Sequence, residues 1–157
     1  ITPETMNLIG EVAIPESTSS SFHFNKSHVL FGRLRPYLRK VLVPDFTGQC
    51  STEIFCIKPE DNVIREFLAY WLLEQKISSK IEATSTGARM PRANMNALLE
   101  FDFPIPSIKE QKKITSKLDI TFAKISKAKN TLAKSKYNYF CLKSAILSQE
   151  LKSSEAA

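Results

Sequence analysis

The sequence predicts an α+β protein: a β-rich domain with a helix packed on it, followed by a long C-terminal helix of coiled-coil type. Three observations carry this prediction. Runs rich in β-branched and aromatic residues, "HVLF", "KVLV" and "STEIFCI", follow one another between residues 28 and 57, separated by Gly, Pro and Asp. Apolar residues then recur three and four positions apart from Asp61 to about Ala83. Beyond Pro106, roughly forty residues contain neither Gly nor Pro, enough for a rod of about 60 Å.

With 157 residues and 43% hydrophobic content, the chain can bury one core rather than two. One domain over residues 1–106 with a helical appendage over 107–152 is therefore expected. No stretch approaches the roughly 18 to 20 apolar residues of a membrane span, and "ITPETMNLIG" lacks the basic start and apolar run of a secretory signal. A cytoplasmic protein with no membrane partner is the expectation, and the start at Ile1 reads as a fragment or a processed product. Cys50, Cys56 and Cys141 form neither an even disulfide framework nor a zinc-gripping pair, so they read as free thiols. Cys50 and Cys56 share parity and are expected on one side of a sheet.

In chain order, "STSSS" at 17–21 reads as a flexible loop, and the β runs after it suggest short, mostly antiparallel strands. Val63, Ile64, Phe67, Leu68, Trp71 and Leu72 give the 61–83 helix an apolar face to cover the sheet, with Asp61 or Asn62 available as N-cap. Residues 84–96, "TSTGARMPRANMN", lack periodicity and read as a loop. Phe101, Phe103 and Ile105 alternate as a last strand would, while Pro104 and Pro106 bias their predecessors toward extended backbone. Ser107 stands three residues before Glu110, a capping box that opens the long helix.

That helix carries a seam. Leu118, Ile125, Leu132, Tyr139 and Ile146 fall seven apart, and Ile114, Thr121, Ala128, Ser135 and Leu142 form the companion row. Large side chains against small ones suit close packing with another helix. The length and spacing exceed what docking back on the β domain requires.

Charge is divided unevenly. Residues 1–108 hold 11 Lys/Arg against 12 Asp/Glu, and residues 109–157 hold 11 against 4, so nets of −1 and +7 make up the overall +6. A polyanion, an acidic protein surface or simply a solvated lysine face fits that excess.

No catalytic constellation is legible. His23 and His28 lie in β-patterned sequence without a thiol or carboxylate at metal-ligand spacing, and the four glycines are scattered, so neither a metal site nor a phosphate loop is indicated. "PED" at 59–61 and "EQK" at 74–76 resemble nuclease residues only superficially, since the second half sits on a predicted helix. Binding chemistry is better represented. "LFGRLRPYLRKVLV" places Arg33, Arg35, Arg39 and Lys40 around Tyr37 without an acid, and Arg89 and Arg92 lie in the 84–96 loop. Guanidinium forks grip phosphates or the edge of guanine, and lysine neutralises phosphate. The three arginines of the first run would share a face in an unbroken strand, although Pro36 argues for a bend. A solvated edge that discourages aggregation fits the same pattern at least as well; the loop arginines add modestly to the recognition reading.

"VLFGRLRPYLRKV", "GQCSTEIFCIKP", "FLAYWLL" and "STGARMPRANMNALLEFDFPIPSIKEQKKITSKLD" occur here in an order that resembles the specificity subunits of bacterial type I restriction-modification systems. The proline segment followed by Glu-Gln and Ile is the most specific piece, and "CLKSAILSQEL" resembles the end of that family's conserved helix. The resemblance covers roughly residues 28–151. It implies a non-catalytic module that reads one half of a bipartite site in double-stranded DNA. It also implies a helix that pairs with a second module or a second copy and docks methyltransferase subunits, with an endonuclease/translocase subunit as a further partner. S-adenosylmethionine would belong to the methyltransferase, with no cofactor in this chain. Intact family members have two recognition domains and two helices, whereas this chain has room for one of each. The alternative reading from another class is a coiled-coil scaffold for acidic partners that binds no nucleic acid.

Overall fold

The computed structural model describes residues 1, 3, 4, 6, 8, 21–87 and 89–155. Residues 17–20 of the serine-rich loop lie outside the described residues, and Ser21 opens the first strand. The chain divides into two compact units at Thr115. In the first unit, β1 (Ser21–Phe24) pairs antiparallel with β4 (Gly48–Ser51), and β2 (Val29–Gly32) lies between β3 (Val41–Leu42) and β5 (Ile54–Ile57), antiparallel to both.

β2 is buried along its whole length because both its edges and both its faces are covered. Strand alternation divides its side chains between two cores. Val29 and Phe31 point, with Val41, Phe55 and Ile57, into a cluster completed by Leu68, Leu72, Ile77 and Ile81. Leu30 points, with Leu42, Ile54 and Cys56, toward Phe24, Phe46 and Cys50. The second cluster needs Gly48, since a Cβ there would stand 3.0 Å from the Phe24 ring.

The single helix expected over 61–83 is two helices, α1 (Arg65–Leu73) and α2 (Gln75–Ala83), separated by Glu74 in extended conformation. Five residues part Leu72 from Ile77, a step of about 140° on a straight helix, so an unbroken rod would turn the second apolar group away from the first. The break lets Ile77 and Ile81 join Leu68 and Leu72 in one core. Neither Asp61 nor Asn62 is the N-cap of α1; Ile64 is, and it has no side-chain cap of its own. The Gln111 carboxamide anchors that end from across the chain: Oε1 accepts the Ile64 N–H at 2.8 Å, and Nε2 donates to the carbonyls of Asn62 and Pro106, each at 2.8 Å.

The 84–96 loop is also shorter than expected, because α3 (Met95–Leu99) begins inside it. Asn94 Oδ1 caps α3 by accepting the N–H groups of Asn96 at 3.0 Å and Ala97 at 3.5 Å. Phe101, Phe103 and Ile105 form no strand. Pro104 and Pro106 bring no N–H to a ladder, the Phe101 N–H bonds back to the Leu98 carbonyl at 3.2 Å, and Phe103 sets its ring edge-on to Trp71 at 5.0 Å and Phe67 at 5.8 Å. The capping residue stands as expected: Ser107 Oγ accepts the Glu110 N–H at 3.3 Å.

The long helix, α4, spans Ile108–Glu155. Its first two turns belong to the first unit, where Gln111 and Thr115 are buried. Residues from Ser116 on form the second unit, which among its described residues is helix alone. No helix among the described residues is long and apolar enough to cross a membrane.

Candidate nucleic-acid interface

The strand carrying Arg33, Arg35 and Arg39 in the expected reading ends at Gly32. Pro36 opens a short 3-10 helix, Pro36–Leu38, flanked by Arg35 and Arg39 in left-handed conformation with φ of 53° and 46°. The three arginines therefore share no strand face. Left-handed backbone costs a non-glycine residue about 1–2 kcal/mol, and hydrogen bonds hold it here: Arg35 N–H to the Pro91 carbonyl at 2.8 Å, and Arg39 N–H to that of Pro36 at 2.8 Å.

The Arg35–Pro91 bond is part of a larger meeting of two segments. Arg33 accepts the Ala93 N–H at 2.9 Å, Leu34 bridges to Arg92, and Arg92 exchanges backbone hydrogen bonds with Thr86 at 3.0 and 3.2 Å. Residues 91–93 thus run antiparallel to 33–35, and 86–92 closes a small hairpin aided by Gly87 at φ 95°. Arg33, Arg35 and Arg92 are brought to one edge by this pairing, and Arg89 stands exposed in the hairpin that joins it.

Their chemical states differ. The Arg33 guanidinium lies over the Phe55 ring, 5.3 Å from its centroid, with a buried Nε that has no hydrogen-bond partner among the described residues. Arg35 is exposed. Arg92 Nε binds both Glu53 carboxylate oxygens at 2.9 and 3.1 Å, which offsets its charge. Arg39 belongs to a different neighbourhood: its guanidinium reaches the Leu73 carbonyl at the end of α1, at 3.4 Å, and pairs with Glu4. Lys40 is half-buried beside Gly32.

Sequence reasoning missed Glu53, Phe55, Asn94 and Asn96 at this edge. Asn94 ahead of a short apolar run was a readable cap signal; the Glu53–Arg92 pair bridges 39 residues and carried none.

Several other polar groups serve the fold. His28 Nδ1 lies 2.8 Å from Asn25 Oδ1 within a tight turn. Arg65 clamps the sheet to α1 through the carbonyls of Pro44, at 2.9 Å, and Lys26. Cys50 and Cys56 do not share one strand as their parity suggested: they lie on β4 and β5, in different sheets, and meet with Sγ atoms 3.2 Å apart, while burial first, then the neighbouring thiol, pushes the Cys50 pKa up to about 12. All three cysteines are free thiols.

On α4, Ile114, Ile125, Ala128, Leu132, Tyr139, Leu142 and Ile146 are exposed and Leu118 is half-buried. Phe140, Leu147 and Leu151 are exposed beside the distal end of the seam.

A β-rich unit with an arginine-edged loop pair, followed by a long helix, is matched over residues 2–136 by the family described as the type I restriction modification DNA specificity domain, and the chain belongs to that family. Among individual relatives it is similar to the EcoDI specificity subunit of a type I restriction enzyme from Escherichia coli. The two are 27% identical over 106 residues, which are 68% of this chain and 23% of that protein. It is 30% identical over 86 residues to the StySPI specificity subunit of Salmonella potsdam, covering 54% of this chain and 19% of the relative. It is likewise 30% identical over 83 residues to the EcoKI specificity subunit of Escherichia coli strain K12, covering 52% and 18%. The matched parts therefore span about a fifth of these relatives.

Proposed function

We propose that this chain reads one half of a bipartite sequence in double-stranded DNA and delivers partner subunits to it without doing chemistry itself. The pairing of residues 33–35 with 91–93 carries this reading, because it gathers Arg33, Arg35 and Arg92, with Arg89 in the same hairpin, along one loop edge. Guanidinium groups at such an edge supply both phosphate contacts and base-edge forks. Of the six sequence-selected cations, Arg33, Arg35 and Arg89 are the primary contacts. Arg92 is held by Glu53, and Arg39 and Lys40 serve the fold first.

α4 is the pairing element. Its exposed seam from Ile125 to Ile146 packs as a coiled coil against the helix of a second specificity module or a second copy of this chain, and the paired helices dock methyltransferase subunits and an endonuclease/translocase subunit. S-adenosylmethionine is then the methyltransferase's cofactor, this chain holds none, and the assembly works in the cytoplasm, where free thiols persist.

The test is a genome-wide map of N6-methyladenine in cells expressing the native-length gene with its neighbouring modification subunit, compared with cells lacking only this gene. A bipartite motif that disappears with the gene is the expected result, and its symmetry separates a self-pairing module from a two-domain subunit. No gene-dependent motif in cells with an active partner would leave the scaffold reading standing instead.

A further inference from the structure

A cleft of about 250 Å³ opens beside the loop edge, lined by Arg33, Phe55, Thr86, Asn94, Met95 and Asn96. We propose that it is a subsite for a single phosphodiester oxyanion of the DNA backbone; this rests on the DNA-binding reading and deepens it. The cleft's cation is held in place from beneath. Phe31, buried in the core, stacks on Phe55 at 6.4 Å with 22° between the rings, and the Arg33 guanidinium lies over Phe55 in turn. The guanidinium has no carboxylate partner among the described residues, in contrast to Arg39 and Arg92. An arginine stacked on an aromatic ring keeps its planar donor fork in a fixed orientation, the state in which it binds an oxyanion with least ordering to complete.

The other polar groups of the cleft are neutral side chains that can donate. The Asn94 side-chain oxygen is occupied by the N–H groups of Asn96 and Ala97, which leaves its Nδ2 as the group free to donate outward. Asn96 and the Thr86 hydroxyl add donors, and no Asp or Glu lines the cleft. One fixed positive charge among neutral side chains able to donate, with no carboxylate beside it, matches the single negative charge of a phosphodiester.

The test follows the Arg33 Nε–H and the side-chain amides of Asn94 and Asn96 by NMR in the whole labelled chain. Dimethyl phosphate at matched ionic strength is one probe and a short random-sequence DNA duplex the other. Both probes are expected to move all three signals, and Arg33→Gln is expected to abolish the response to dimethyl phosphate. In the same variant the slope of log affinity against log salt for the duplex should become shallower by about 0.9. Asn96→Asp, an exposed and isosteric change, should weaken duplex binding several-fold while the backbone spectrum is retained. Duplex binding that shifts amides elsewhere but leaves the cleft signals fixed overturns the subsite and spares the DNA reading. Dimethyl phosphate moving the cleft signals with no response anywhere to duplex overturns both, and so does silence toward both probes.

Discussion

Residues 21–115 gather most of their large apolar side chains into buried clusters, although Leu99 and Ile105 stay exposed, whereas the helix beyond them buries none among its described residues. In the first region Val29, Phe31, Leu72 and Ile81 are all but fully buried, and even the arginines are largely engaged, Arg39 with Glu4 and Leu73, Arg65 with Pro44 and Lys26, Arg92 with Glu53. On α4, Leu132 is 56% exposed, Leu142 61% and Tyr139 68%. A fully buried large apolar side chain contributes about 1.5–3 kcal/mol, a contribution the core residues of the first region make and the exposed residues of the α4 seam do not.

The most complete effect should come from the seam. Polar replacement of Leu118, Ile125 and Leu132 together is expected to abolish helix-mediated association, and an unchanged solution mass by light scattering would sink the seam assignment. Next in size, Phe31→Ala should cost about 3–5 kcal/mol in urea unfolding, because it empties a site enclosed by two layers. Tyr139→Ala, an equally severe truncation on α4, should stay within about 0.5 kcal/mol for the unassociated chain. Equal costs at the two positions would erase the contrast. Gln111→Ala should cost about 1–2 kcal/mol, since it strands the half-buried Ile64 N–H and removes the donor from two carbonyls. A variant as stable as the parent would show that water replaces the carboxamide at no cost.

Arg89→Ala should leave stability unchanged and reduce the salt slope of DNA binding by about 0.9 in the assembled complex, as loss of one phosphate contact requires. Wild-type slope would remove that hairpin from the interface. The smallest effect concerns Cys50. Its folded pKa of about 12 exceeds the ordinary 9.0, so between those values the unfolded chain binds fewer protons than the folded one. Its contribution is therefore intact below pH 9 and declines as pH rises toward 12. At pH 8, alkylation followed by mass spectrometry should label exposed Cys141 well before Cys50.

What could be read in advance follows the range of the forces involved. The α4 helix and the strand runs were legible because periodicity and proline placement act within a few residues. The meeting of Cys50 and Cys56 was not legible from parity within one strand, because a turn at 52–53 places them on strands of two different sheets. The break at Glu74 was hidden, since every residue around it favours helix and only the distant core, which must receive both Leu72 and Ile77, demands the turn. Phe103 alternated as a strand residue would, yet Trp71 and Phe67 gave its ring a place that no ladder requires. At the candidate interface the cation-bearing segments were legible as composition. Their antiparallel meeting, the partial neutralisation of Arg92 and the stacking of Arg33 on Phe55 were not, because each joins residues far apart in the chain.

The Gln111 carboxamide also constrains how genes of this kind can be recombined. It closes the first turn of α4 but secures the beginning of α1, 47 positions upstream of it at Ile64. A chimera spliced within 101–110 would pair one parent's Gln111 with the other's Ile64 and Asn62, and would keep the anchor only if the two parents agree in backbone there. A splice placed after Thr115 carries the anchor whole. The workable crossover point is therefore inside the helix, two turns past its apparent start, rather than at the prolines that look like the natural seam between parts.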